Sequence, residues 1–401
     1  MRGAIEISSP NDRIRHPFEF PFGGRIRTQA PVINLALTNG ARQIVFSKPP
    51  GTSGIVRNIG WIVSATNNVG VSRLANCTLE VKYDGSGSAS ISIPLFALGG
   101  MEYVRSAIKD LIGVSTPAFE LGCTPISSLS TDFLGSNGNF RLPLPYTNGI
   151  EISVVAPATT DIQSVFFNVV YQDTLPGSWN AGLRLFADRS DEAVPAATNL
   201  PLNFKLTDAT HAVVQGAGTW PANIAGRVII PTNISTSDWL VLARTDNTHI
   251  VVSSLDTAGV ALNTPDTGIH AAQHTFLNRP GGEAGYLAMI VGGYAQPDSD
   301  IDLLDEGNPR LWLDGNTGEP DLEWTSTEDF AMGCFNFEQK GHGEEGGVTC
   351  LDRSVNYEKT FYRVFSRYPI PYGNGIVGRV PQYTALGAST YRWTTFYYKQ
   401  M

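Results

Sequence analysis

The chain has little cysteine and little charge, and each shortage narrows what it can be. Four cysteines in 401 residues, Cys77, Cys123, Cys334 and Cys350, include no Cys-x-x-Cys pair. That spacing argues against a disulfide scaffold and against a zinc site. Free buried thiols are the simpler reading, with a Cys334–Cys350 pairing open if a loop brings the two together. Charged residues make up 16% against 42% hydrophobic, which argues against a disordered chain or a coiled coil. Positive charge is the scarcer sign: Lys and Arg number 28 against 37 Asp and Glu, for a net charge of −9. A protein that grips nucleic-acid phosphates needs a basic face, and no basic run occurs, so no direct nucleic-acid binding is expected. No stretch approaches the roughly 18 apolar residues of a membrane helix. The opening Met1–Glu6 leads into no apolar core of signal-peptide length. The expectation is a soluble chain with no signal peptide and no membrane insertion. Helical patterning is scarce too, and Met101–Leu111 (MEYVRSAIKDL) is the one candidate helix.

What is plentiful is turn chemistry. The 41 glycines and 25 prolines are spread along the chain. They separate short runs that alternate or are rich in β-branched residues: Gly54–Ala65, Thr78–Tyr83, Ile150–Val155, Val165–Gln172, Gly226–Ile230 and Trp239–Ala243. Many short strands at close spacing point to a sandwich or barrel. At 401 residues there is room for two such cores.

The sequence also repeats itself. Arg141–Ile150 reads RLPLPYTNGI and Arg367–Ile376 reads RYPIPYGNGI, with seven of ten positions identical at an offset of 226 residues. Ile162–Gln172 and Thr390–Gln400 follow in the same order, and Tyr83-Asp84-Gly85 precedes the first copy as Leu313-Asp314-Gly315 precedes the second. Proline pre-sets φ and stays out of ladder hydrogen bonds, while Asn-Gly and Asp-Gly supply tight turns. The repeat is therefore a turn device, and it implies a duplicated domain. The expected fold is all-β, two tandem jelly rolls: residues 1–180 the first, 181–200 a linker centred on Asp188–Asn199, and 201–401 the second.

Several segments resemble one family. Leu311–Phe337 (LWLDGNTGEPDLEWTSTEDFAMGCFNF) is similar to a strand, Asp-Gly turn, strand and GTGTEDYF-like motif of the glycoside hydrolases that include difructose-anhydride synthase and α-D-fructofuranosidase. Leu79–Pro94, Phe140–Val154, Tyr362–Tyr372 and Tyr391–Gln400 resemble its other segments in the same order. Trp324 and Ser326 stand where the motif carries glycine. The resemblance implies a double jelly roll that assembles as a homotrimer or multiples of trimers. The same architecture is found in the double jelly-roll major capsid proteins of viruses.

For chemistry, cleavage of a glycosidic bond needs two carboxylates flanking it. The resemblance places one at Glu328. Asp329 faces the other way if this segment is a strand. Glu344 and Glu345, in the glycine-rich stretch Glu338–Thr349, are the candidates for the second, ahead of Glu338 and Asp352. Asp298, Asp300 and Asp302 begin like a calcium loop, but Leu303 and Pro309 occupy its Gly and Glu positions. His270 and His274 are four apart without a third ligand and read as ordinary loop or core histidines. No nucleophile elbow, Walker loop or dinucleotide fingerprint occurs, so no metal and no cofactor are expected. The expected function is hydrolysis of furanoside sugars such as fructofuranosides or arabinofuranosides by paired carboxylates. The alternative is a double jelly-roll capsid or other virion subunit without catalysis, and the second alternative a carbohydrate-binding protein without catalysis. The corresponding locations are the cytoplasm or a virion.

Overall fold

The computed structural model describes residues 26–29, 32–35, 40–65, 77–103, 114–125, 134–156, 162–173, 182–194, 198–208, 211–216, 220, 224–225, 228–230, 239–254, 264–271, 273–295, 307–316, 320–332, 343–352, 358–365, 368–381 and 389–401. Most of the candidate helix Met101–Leu111, and the triad Asp298, Asp300 and Asp302, lie outside them. No helix among the described residues is long and apolar enough to cross a membrane.

Two β-sandwiches are built on one plan. In the first, the larger sheet runs Ile26–Thr28, Ile162–Gln172, Gly54–Ala65, Leu134–Phe140, Phe119–Pro125, and the smaller runs Arg42–Lys48, Ile150–Val155, Thr78–Tyr83, Ile91–Pro94. In the second, the larger sheet runs Leu183–Val194, Ser389–Gln400, Gly285–Ala295, Glu358–Val364, Gly346–Asp352. The smaller runs Gln273–Arg279, Ile376–Pro381, Arg310–Leu313, Leu322–Glu323. Position for position the strand order is the same, and all the ladders are antiparallel. This is the duplicated jelly roll read from the sequence.

The repeated turn accounts for the shared geometry. Leu144–Tyr146 and Ile370–Tyr372 each pair with the long central strand of their own larger sheet. The glycines that follow, Gly149 and Gly375, have φ of 94° and 98°, a region open to glycine and closed to most side chains. At the start of the central strands, a Cβ on Gly54 would fall 2.5 Å from the Tyr146 hydroxyl, and one on Gly285 would fall 2.6 Å from the Tyr372 hydroxyl.

Two parts of the sequence-based division need correction. The expected linker is no linker: Leu183–Val194 is a twelve-residue strand paired along its whole length with Ser389–Gln400. Its charged residues had suggested a loop, but each finds a partner elsewhere in the fold: Asp188 pairs with Arg279, Arg189 with Glu102, Asp191 with Arg392 and Glu192 with His274. Nor is everything after residue 201 jelly roll. Strands Thr198–Leu206, His211–Gly216, Val228–Ile230, Trp239–Arg244, His249–Ser254 and Thr264–Ala271 close into a separate barrel. It has its own core of Val214, Trp220, Ile229, Trp239, Val241 and Val252. The barrel interrupts the second jelly roll between its first and second strands.

The core of the first jelly roll continues across the joint onto one face of the second. A single cluster of buried side chains includes Trp61, Leu79, Phe119 and Phe140 from the first and Met289, Tyr362, Phe396 and Tyr398 from the larger sheet of the second. The inside of the second sandwich is a cluster of its own, with Phe276, Ile290, Leu311, Phe361 and Trp393. Phe119 meets Tyr362 edge-on at 5.0 Å, and Phe140 lies 5.4 Å from Phe396.

Candidate functional site

The motif carrying Glu328 is one turn of helix, Thr327–Phe330, and not a strand. Ser326 makes it so: its hydroxyl accepts the Asp329 amide at 3.0 Å, a serine N-cap that satisfies a donor the helix leaves open. Glu328 and Asp329 fall in the first turn, where the helix end favours negative charge. They therefore do not point to opposite sides of a strand as the pattern had suggested. Glu328 is half-buried and Asp329 exposed, with Asp329 accepting a hydrogen bond from Thr325.

The buried members of the motif are the other two. Thr327 is fully buried, its hydroxyl 2.5 Å from that of Tyr294. Phe330 is fully buried against Trp324 at 5.0 Å and Trp393 at 6.1 Å. The first jelly roll has a short helical turn in the same place, Leu95–Gly99, and every residue of it is buried. The helix is thus the second copy's version of a plug that closes the sandwich end.

Glu344 is exposed and Glu345 half-buried. They lead into strand Gly346–Asp352, and the Glu345 carbonyl accepts the Val364 amide at 2.7 Å. The fold brings this segment against the end of the Glu328 helix: a Cβ on Gly346 would fall 2.5 Å from the Ala331 carbonyl oxygen. The two acidic segments therefore meet at one end of the second sandwich. None of three clefts among the described residues, one between the barrel and the second jelly roll and two on the first, is lined by Glu328, Glu344 or Glu345. Glu338 lies outside the described residues. No group of three or more His, Cys, Asp or Glu that could hold a metal occurs among the described residues. Cys77 is buried and free.

The structure also assembles polar groups that spacing could not reveal. His274 is fully buried, with Nε2 at 2.8 Å from the Ser190 hydroxyl and Nδ1 at 3.0 Å from Glu192. Its ring packs against Tyr391 at 5.4 Å. Burial holds its pKa below the usual imidazole value, against the opposing pull of Glu192. His274 is thus a core histidine, as the sequence suggested. Its partners lie more than eighty residues away, on the strand read as a linker. Ser190 also has the Trp393 carbonyl within 3.3 Å.

A second buried network joins the two jelly rolls. Glu102, from the first, has a fully buried side chain that pairs with Arg189 at 3.1 Å and accepts a hydrogen bond from Thr394. Beside it, the Tyr103 hydroxyl donates to the Thr390 carbonyl at 2.9 Å. Thr349 donates to the Gly100 carbonyl at 2.6 Å, and Tyr398 to the Pro143 carbonyl at 2.9 Å. Arg184, almost wholly buried, reaches Asp84 at 2.8 Å. The joint thus combines an apolar cluster with buried hydrogen bonds and ion pairs between the two jelly rolls, which favours one fixed arrangement of the two.

No family model matches the chain, and no curated protein is similar to it, so the glycoside hydrolase resemblance finds no counterpart there. Among solved structures, the chain is similar to the STIV MCP. The identity is 10%, over 93% of this chain and 97% of that one, with a TM-score of 0.42. It is also similar to a chain of the Sputnik virophage, at 10% identity over 95% and 87% with a TM-score of 0.24, and to the mavirus major capsid protein, at 10% identity over 95% and 88% with a TM-score of 0.24.

Proposed function

We propose that this chain is a structural subunit of a virion, a double jelly-roll capsid protein that associates with copies of itself around a three-fold axis. The observation that carries the reading is the joint: two jelly rolls of the same strand order are locked into a single block by a buried cluster that runs from the core of the first onto one face of the second. Such a block presents two similar lobes. Three copies closing a ring give six lobes in near-hexagonal outline, a shape suited to tiling a shell, and ring closure is the common outcome of a head-to-tail interface. An enzyme gains nothing obvious from duplicating a whole sandwich with its turn chemistry intact. A shell tile gains a near-uniform rim.

The motif that pointed to hydrolysis has a structural role of its own. Thr327 and Phe330 are the plug, and Ser326 is its cap. Glu328 stands with Asp329, Glu344 and Glu345 at that end of the sandwich, and none of the three clefts described above is lined by any of them.

Sedimentation equilibrium of the purified chain, with imaging of the same sample by electron microscopy, tests the reading. A species of three times 43.3 kDa that forms hexagonal arrays or closed shells on concentration is the expected result. A chain that stays monomeric at every concentration overturns it. So does turnover of an aryl α-fructofuranoside or arabinofuranoside that is abolished by Glu328→Gln, which returns the chain to the hydrolases.

A further inference from the structure

The duplication supplies an internal control for any surface that has diverged between the copies. In the smaller sheet of the first jelly roll, Glu80 sits opposite Ser153 and Lys82 opposite Glu151. Arg42 bridges the two carboxylates, at 3.0 Å from Glu80 and 2.6 Å from Glu151. Charge on this outward face is balanced.

The same register in the second jelly roll reads differently. Arg310 sits opposite Arg379, and Trp312 opposite Val377. Residues directly opposite share a face, as do residues two apart on one strand, so these four side chains look outward together. Leu311 and Ile376, which alternate with them, belong to the core. Like charges directly opposite are unfavourable. Arg310 is held by Glu323 at 2.9 Å. Arg379 instead stacks on Trp312, its guanidinium carbon 5.1 Å from the ring centroid. The Arg379 Nε is buried and makes no hydrogen bond among the described residues. Burial draws its pKa down, and no carboxylate opposes that shift.

The barrel covers this face and leaves a cleft of about 260 Å³. Arg379, Trp312, Asn278 and Asn316 line one side, and the barrel's Leu240 and Leu242 line the other. The volume falls just below the ~300–1,000 Å³ of drug-sized ligand sites, so the space suits a small molecule. A planar guanidinium matches a carboxylate in two-point geometry and tolerates partial burial better than an ammonium. Trp312 and the two leucines offer an apolar bed beside it.

We propose that the cleft between the barrel and the second jelly roll binds a small organic carboxylate, with Arg379 taking the carboxylate and Trp312, Leu240 and Leu242 receiving the apolar body. The site does not depend on how the chain assembles.

Calorimetric titration of the full chain with sodium benzoate, with benzyl alcohol as the uncharged counterpart, tests it. Saturable binding of one benzoate per chain is expected. Benzyl alcohol should bind at least tenfold more weakly, and Arg379→Gln should weaken benzoate at least tenfold. If that variant fails to fold, Val377→Glu takes its place: a carboxylate at the cleft rim beside Arg379 must also weaken benzoate at least tenfold. Absence of saturation overturns the proposal. So does equal affinity for the alcohol, or an affinity for benzoate that a folded variant leaves unchanged.

Discussion

Asp84 and Asp314 stand in the same left-handed backbone state, with φ of 55° and 57°, and each carboxylate accepts amide hydrogens from the turn that closes its own copy of the repeat. Asp84 accepts Thr147 at 3.0 Å and Asn148 at 2.6 Å, and Asp314 accepts Gly373 together with Asn374, the latter at 2.9 Å. Asp84 also holds the buried Arg184. Burial alone would raise its pKa, but Arg184 and the two amides outweigh this and draw it below the ordinary 3.8. A depressed carboxylate stabilises the fold above its unfolded pKa and loses that effect as pH falls through the folded value. Asp84→Asn should therefore cost about 3 kcal/mol at neutral pH, because it leaves a buried arginine uncompensated. Asp314→Asn loses only part of its turn bonding and should cost about 1 kcal/mol. Urea unfolding of both variants checks the ranking, and equal losses would remove Arg184 from the account.

This pair also shows how much was legible beforehand. The Asp-Gly and Pro-Tyr-x-Asn-Gly signals are local chemistry, and local chemistry survives duplication, so the two jelly rolls could be read from turns alone. The strand Leu183–Val194 could not. Its Asp188, Ser190 and Glu192 look like a solvated connector until Arg279 and His274 are placed opposite them by the other sheet. The barrel was missed for a related reason: its strands carry the same alternation as jelly-roll strands, and alternation does not say which sheet a strand joins. At the candidate site the sequence singled out Glu328 by its acidic neighbours and by resemblance. It could not show that Ser326 would turn the segment into a capped helix.

If the Thr327–Phe330 turn is a plug, its apolar member should matter more than its acid. Phe330→Ala removes a fully buried ring from between Trp324 and Trp393 and should cost about 3–5 kcal/mol. Ser326→Ala removes the cap and should cost about 1 kcal/mol. Glu328→Gln should stay within about 0.5 kcal/mol. Thermal and denaturant unfolding measure all three, and a large effect at Glu328 with little at Phe330 would contradict the plug.

Glu102 makes the joint between the jelly rolls sensitive to pH. Burial raises its pKa above the ordinary 4.5, with Arg189, Thr394 and Arg392 pulling the other way. Between the unfolded and folded values the native state holds the extra proton, so stability is greatest below the unfolded pKa and declines as pH rises through the folded one. Glu102→Gln lacks this decline. Melting temperatures of wild type and variant, followed upward from pH 4, should diverge in the variant's favour, and parallel curves would show that Glu102 ionises freely.

His274 acts in the opposite sense. Its folded pKa lies below the ordinary 6.5 because it is buried, despite Glu192. The unfolded chain therefore takes up the proton first as pH falls. The stability that a neutral His274 lends is complete above 6.5 and is lost as pH drops below it. His274→Gln keeps an acceptor and donor but cannot charge, so its stability should stay flat between pH 7 and 5 while that of wild type falls. Unfolding midpoints across that range decide it.

The barrel should be separable from the rest. Its core is a cluster of its own, sharing no residue with the two others. The corresponding connection in the first jelly roll, from Leu35 to Arg42, spans only residues 36–41. Replacing residues 195–272 with a link of that length should leave both jelly rolls and the buried cluster that joins them intact. The obstacle is the face the barrel covers, where Trp312 is buried. The first jelly roll shows what an uncovered face requires: Lys82 and Glu151 occupy the positions of Trp312 and Val377. The deletion combined with Trp312→Lys and Val377→Glu should therefore unfold in one cooperative transition and remain soluble, while the deletion alone should aggregate through the exposed ring. Loss of cooperative unfolding even in the combined variant would mean that the barrel holds the second sandwich together and is more than a roof over it.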